Sequence, residues 1–135
     1  MDSYLVDTNI WIHFLKGKYG IREKILKIPS GLLCVSEITI AELTYGAYHS
    51  SNKPKHLREV RLVRDNFRLY PISECLEEYA KLRDILSRQG RTVENFDLLI
   101  AATAIHYQLI LVTENVKHFK AIPKLRIENW ASRDI

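Results

Sequence analysis

Little in this sequence points to sulfur chemistry, a membrane or a nucleotide-binding loop. Only two of its 135 residues are cysteine, Cys34 and Cys75, and they form neither a Cys-x-x-Cys pair nor a Cys/His cluster. A disulfide framework or a zinc module needs more, so both are expected to be reduced thiols of a cytoplasmic protein, used as small hydrophobic residues. The longest strongly apolar run, residues 98–102, is far short of the roughly 20 residues that span a bilayer. The opening Met1-Asp2-Ser3-Tyr4-Leu5-Val6-Asp7 has no basic stretch and an acid breaks its apolar run, which argues against a secretory signal. No glycine-rich phosphate loop, Gly-x-Gly-x-x-Gly turn or Ser-His-Asp arrangement occurs. The five histidines (His13, His49, His56, His106 and His118) show no ligand spacing and read as ordinary surface or half-buried residues. If the chain is an enzyme, acids and a metal must do its chemistry.

What is present is a globular composition: 47% hydrophobic residues, enough for a core, and 27% charged, enough for a surface. No repeat, low-complexity tract or linker divides the chain, so a single domain over 1–135 is expected. Tyr4–Val6 reads as a strand punctuated by Asp7-Thr8-Asn9. A helix carrying Ile10, Trp11, Phe14 and Leu15 should follow, stopped by Gly17 and Gly20. A short helix over 21–28 and an apolar strand over 32–35 come next. A further helix then runs to about Tyr48, with Ser36 or Thr39 as its cap. Ser50-Ser51-Asn52 with Pro54 reads as a loop, 57–67 as a helix and 69–72 as extended chain. Ser73 opens a helix with the seam Cys75, Tyr79, Leu82 and Leu86, which Gly90 ends. Residues 96–107 are hydrophobic nearly all round and should be buried on more than one side. A strand over 109–112, a short turn or helix over 115–119 and a strand over 125–127 complete the chain. Strands alternating with helices imply an α/β sandwich with a mostly parallel sheet. Ligands of such sheets gather beyond the carboxyl ends of the strands, where Asp7, Ser36 and Thr113 fall.

Three acids stand out by context. Asp7 ends an apolar strand, Glu42 interrupts the run Ile38-Thr39-Ile40-Ala41-Glu42-Leu43, and Asp97 is the sole charge in Phe96-Asp97-Leu98-Leu99-Ile100-Ala101-Ala102. Charges in such settings are unfavourable unless paired or bound to a metal. Each also has a plain structural reading: Asp7 and Asp97 as helix N-caps, Glu42 as a solvent-facing residue or the partner of a lysine. An oxygen-only set of ligands would suit a hard cation, Mg²⁺ or Mn²⁺, over zinc.

Taken together, strand-Asp7-Thr8-Asn9, then Ser36 to Leu43 with Gly46, then Gly90-Arg91-Thr92-Val93 leading into Phe96-Asp97, then Leu111-Val112-Thr113-Glu114-Asn115 with Phe119, and Glu128-Asn129-Trp130 resemble PIN-domain proteins, most of all the ribonuclease toxins of the VapC type. The resemblance spans essentially the whole chain. It implies a three-layer α/β/α sandwich, Mg²⁺-dependent endonucleolytic cleavage of RNA (with Mn²⁺ as a substitute), a homodimer, and neutralisation by a small VapB-like antitoxin in a hetero-oligomer. Carried over by position, Asp7, Glu42 and Asp97 match the family's acidic cluster, as metal ligands and catalytic residues. Thr8, Asn9, Thr113 and Asn115 match supporting polar positions. Asn115 falls where many members carry a fourth aspartate, with Glu114 one place before it, so a tightly held second metal is not implied.

A basic segment adds a second expectation. Residues 53–68 hold six lysines and arginines against two acids, an excess equal to the +4 of the whole chain. Arg58, Arg61, Arg64 and Arg68 are spaced to share one helical face. That face could be a solvated surface, a track for an RNA backbone or a seat for acidic antitoxin residues. Two other classes compete. A receiver domain would want paired acids after its first strand and a lysine after a later one, and Thr113-Glu114-Asn115 offers no lysine. A PIN-like domain could instead bind RNA or a partner, or serve RNA processing, without a toxin role.

Overall fold

Successive residues of the short strands face opposite sides of one sheet, and that alternation builds two cores. The computed structural model describes residues 1–133. Its strands are β1 (Tyr4–Val6), β2 (Leu33–Ser36), β3 (Arg68–Tyr70), β4 (Ile110–Val112) and β5 (Ile127–Glu128), in the order β3-β2-β1-β4-β5, with every neighbouring pair parallel. The helices are α1 (Thr8–Lys16), α2 (Ile21–Leu26), α3 (Glu37–Tyr48), α4 (Lys53–Asn66), α5 (Leu76–Arg88), α6 (Asn95–His106) and α7 (Val116–Phe119). Leu5, Cys34 and Leu111 point into one core with Leu82 and Leu86 of α5, Leu98 and Ala101 of α6, and Phe119 of α7. Val6, Val35 and Val112 point into the other, with Ile10 and Trp11 of α1, Ile21 and Ile25 of α2, and Val60 and Val63 of α4. The result is a three-layer α/β/α sandwich. As its composition predicts, α6 is buried on several sides, at Leu98, Ile100, Ala101, Ala102, Thr103 and Ala104. No helix among the described residues is long and apolar enough to cross a membrane.

Local signals explain most element ends. Ser36 caps α3, accepting from the Ile38 N–H at 3.0 Å, so Thr39 lies inside the helix as a buried residue. At the end of α1, Gly17 takes φ 67° and returns its N–H to the carbonyls of His13 and Phe14, the left-handed stop that glycine supplies without strain. Both cysteines are free and buried, and burial pushes the Cys34 thiol up to about 11.

Several expectations are corrected. The loop expected at 50–54 is shorter, because Asn52 caps α4 and Pro54 sits in its first turn, where a missing N–H is harmless. The helix therefore begins four residues before the expected start at 57. It ends at Asn66, since Phe67 is extended (φ −127°, ψ 161°). Arg68 consequently leaves the helix and lies in β3, its guanidinium over the Tyr70 ring at 4.8 Å. Only Arg58, Arg61 and Arg64 share the helical face. The last strand is Ile127–Glu128, displaced toward the C-terminus because its ladder is set by Leu111↔Ile127 and Val112↔Glu128.

Candidate active site

The sheet order reverses at β1. The chain steps from β1 to β2 and β3 on one side, and β4 and β5 lie on the other. The crevice at such a switch point is where open parallel sheets bind ligands. Asp7 leaves β1 there and Thr113 leaves β4, and the Asp7 N–H donates to the Val112 carbonyl at 2.8 Å.

Asp7 is 4% exposed. It caps α1, Oδ1 accepting from the Thr8 N–H at 2.8 Å, while Oδ2 accepts from the buried Thr113 hydroxyl at 2.8 Å. The cap reading of Asp7 is therefore seen at Oδ1, and Oδ2 is held by Thr113. The Thr113 oxygen in turn accepts the Asn115 N–H at 3.0 Å. Asn115 thus enters through its backbone, and the residue itself is exposed. The hydroxyl of Thr8 donates to Glu42 Oε1 at 2.6 Å and lies 3.0 Å from the Thr39 hydroxyl. Glu42 reaches this place because it stands on the second turn of α3, which the Ser36 cap launches from the end of β2.

Asp97 approaches from the first turn of α6. The N-cap position belongs to Glu94, whose side chain makes no capping bond, so the N-cap reading of Asp97 is corrected. Its Oδ2 lies 3.4 Å from Nδ1 of His118.

The three acids share one electrostatic environment. Burial raises the pKa of Asp7, with repulsion from Asp97 adding to it against the two hydrogen bonds. Burial raises Glu42, with Asp7 and Glu94 adding. Burial also raises Asp97, opposed by His118 and reinforced by Glu94 and Glu42. All three shifts run in the direction that a bound cation would reverse. Among the described residues, however, no three acidic, histidine or cysteine side chains close on one point. Glu42 is turned to Thr8 and Asp97 to His118. The donor set still suits a hard cation: it is all oxygen, and Asp7 is buried with two neutral hydrogen-bond donors. Asn9 Oδ1, in the first turn of α1, is buried and has no hydrogen-bond partner among the described residues.

Two features escaped sequence reasoning. His118 and Glu94 both border the cluster. Glu94 lies one helical turn before Asp97, a visible spacing, but His118 is brought in from α7 only by the fold. His13 also departs from the expectation of a bystander: its Nε2 lies 2.9 Å from Glu114 Oε1. Glu114 pairs as well with Arg133, whose guanidinium covers the Tyr19 ring at 4.0 Å. This clamp ties the end of the described chain to the segment after β4. The α4 arginines stand apart from it. Arg64 pairs with Asp65 at 3.2 Å, and Arg58 and Arg61 are exposed.

The sequence pattern of the PIN domain matches residues 4–125. The chain is 36% identical over 130 residues to Ribonuclease VapC1 of Haemophilus influenzae (strain 86-028NP), covering 94% of this chain and 97% of that protein. It is 32% identical over 133 residues to the tRNA(fMet)-specific endonuclease VapC of Shigella flexneri, covering 97% and 100%. Its fold matches a DNA-bound VapBC from Salmonella typhimurium with a TM-score of 0.89 at 31% identity, covering 97% of this chain and 100% of the other. VapBC2 from Rickettsia felis, bound to a promoter DNA fragment, gives 0.83 at 32% identity, covering 94% and 98%.

Proposed function

This chain belongs to the PIN-domain family, and from that premise we propose that it is an endoribonuclease of the VapC type, the toxin of a toxin–antitoxin pair. The observation that carries the reading is the buried Asp7 at the β1–β4 switch point, held by Thr8 and Thr113 within electrostatic reach of Glu42 and Asp97.

Hydrolysing a phosphodiester needs an activated water, relief of the charge building on the phosphoryl oxygens and help for the leaving oxygen. Asp7 and Asp97 would hold a Mg²⁺ most directly, Mn²⁺ substituting, with Glu42 completing the pocket. When bound, such an ion acidifies a water and polarises the phosphate. Thr8 and Thr113 fix the Asp7 carboxylate with one hydrogen bond to each of its oxygens. Glu42, its pKa raised by burial, orients the attacking water and receives its proton. Asn115 brings no charge, so the set supports one strongly held cation. The exposed basic face of Arg58, Arg61 and Arg64 on α4 is offered to an anionic partner. The working state is a cytoplasmic homodimer that a small VapB-like antitoxin joins in a hetero-oligomer.

The test is cleavage of total RNA by the purified chain with Mg²⁺, with EDTA, and with Asp97→Asn. Cleavage that survives EDTA or the substitution would refute this mechanism. Binding without any cleavage would instead favour a PIN-like binding domain. Sequencing RNA 5′ ends after pulse expression names the substrate.

A further inference from the structure

On the Asp97 side the acidic cluster opens into a cleft of about 600 Å³ between the 90–94 loop and α7. Asp97 and Glu94 tie it to the site, and Arg91, Lys117 and Lys120 line it with them. All three cations are exposed, and none makes an ion pair or side-chain hydrogen bond among the described residues. Their chain neighbour His118 is occupied with Asp97. Three unpaired cations lining one cleft repel each other, and an anion relieves that.

The cleft does not stop at the loop. Arg91, Thr92 and Glu94 also line a second cleft of about 520 Å³ on the loop's other flank, which reaches Arg83. Arg83 is held by a neutral partner: it donates to the Tyr79 hydroxyl at 2.9 Å, which lies 3.0 Å from Asn95 Oδ1. Its charge is therefore uncompensated. A path with cations on both flanks of the loop fits an extended polyanion and not a single small one. The groove beside Glu42 is separate: it holds Lys16, Lys18 and Lys55, but it shares no lining residue with either of these clefts and so does not extend the path. Arg58, Arg61 and Arg64 line neither that groove nor the cleft at Asp97.

We propose that the cleft between the 90–94 loop and α7 binds the RNA backbone next to the phosphodiester being cut, with Arg91, Lys117 and Lys120 as its phosphate contacts and Arg83 continuing the track. The proposal rests on the ribonuclease reading. It assigns the RNA backbone to this cleft and not to the basic face of α4.

Salt dependence tests it, because each phosphate contact on single-stranded nucleic acid contributes about 0.7 to the slope of log K against log salt. The probe is a fluorescein-labelled, mixed-sequence single-stranded RNA about 12 nucleotides long, titrated in EDTA from about 50 to about 200 mM KCl. The triple variant Arg91→Gln/Lys117→Gln/Lys120→Gln should flatten the wild-type slope by about 2. Arg61→Gln/Arg64→Gln should leave it unchanged. Thermal melting checks that each variant is folded, and if the triple variant is not, Lys117→Gln alone decides, with an expected flattening of about 0.7. An unchanged slope in the cleft variant overturns the inference. So does a loss of slope confined to the α4 variant, or a cleft variant that loses only an acidic antitoxin. A wild-type chain that cuts RNA with Mg²⁺ but binds none in EDTA overturns the inference and leaves the ribonuclease reading standing. A wild-type chain that neither cuts nor binds RNA ends both.

Discussion

Replacing Asp7 by Asn should make the metal-free protein more stable while it destroys the activity. The carboxylate is 4% exposed and keeps two hydrogen bonds, from the Thr8 N–H and the Thr113 hydroxyl. Asn retains an acceptor for the first and remains a good N-cap. Making these two bonds neutral loses roughly 1 kcal/mol each, since charge-assisted bonds are about twice as strong. Against that, the substitution removes a buried charge without a cationic bond partner, whose desolvation is worth several kcal/mol. Repulsion from Asp97 disappears as well. The net gain is about 1–3 kcal/mol, on the order of 3–10 °C in melting temperature for a domain of this size. In EDTA, the Asp7→Asn protein should therefore melt above wild type. At a Mg²⁺ concentration about 100 times its Kd the wild type should gain about 2.7 kcal/mol and the variant almost nothing, so the ranking inverts or closes. Cleavage should fall on the order of 100-fold or more. Differential scanning fluorimetry in both buffers decides. A variant that melts below wild type in EDTA would mean that Asp7 is chiefly a structural cap, and the reasoning fails.

Thr113→Val removes the hydroxyl on Asp7 Oδ2 and strands the Asn115 N–H; a loss of about 1–3 kcal/mol in stability is expected, together with weaker Mg²⁺ binding by calorimetry. In EDTA the site acids should make the wild type gain stability as pH falls. Their folded pKa values lie above the ordinary 3.8 and 4.5, so the folded state binds the extra protons and the charge penalty is relieved below those raised values. Mg²⁺-induced stabilisation should shrink over the same range, and pH-resolved melts measure both. Glu114 has the opposite sign. Its hydrogen bond from Arg133 holds it down to about 2, so its contribution is full above its ordinary 4.5 and is lost as pH falls toward 2. Glu114→Gln should remove that part of the acid transition.

Much of this architecture was legible because short apolar runs mark strands buried on both faces, and glycines and a serine mark the helix ends between them. Ser36, Gly17 and Gly90 sit where their backbone roles require. The acids Asp7, Glu42 and Asp97 were legible as charges in apolar surroundings, and the fold brings them within electrostatic reach of one another. The 53–68 segment misled because Pro54 reads equally as a loop residue and as a first-turn helix residue, and only the Asn52 bond to the Lys55 N–H separates the two. His118 could not be seen, since its nearness to Asp97 depends on where α7 packs against α6. The clamp of Glu114 with His13 and Arg133 joins residues 101 and 19 positions apart, distances over which no local pattern carries information.

The order β3-β2-β1-β4-β5 has a consequence for synthesis. Strand β1 is made first, yet one of its neighbours is β4, and the bond between Asp7 and Thr113 spans 106 positions. A growing chain therefore carries Asp7 and Glu42 long before it has Asp97 or the strand that fixes them. Such distant pairing is slow to form, and the nascent polypeptide cannot assemble the crevice until most of it has been translated. The site of a protein that cuts RNA is thus completed late in its own synthesis, and the delay gives a co-expressed partner time to be present when the fold closes.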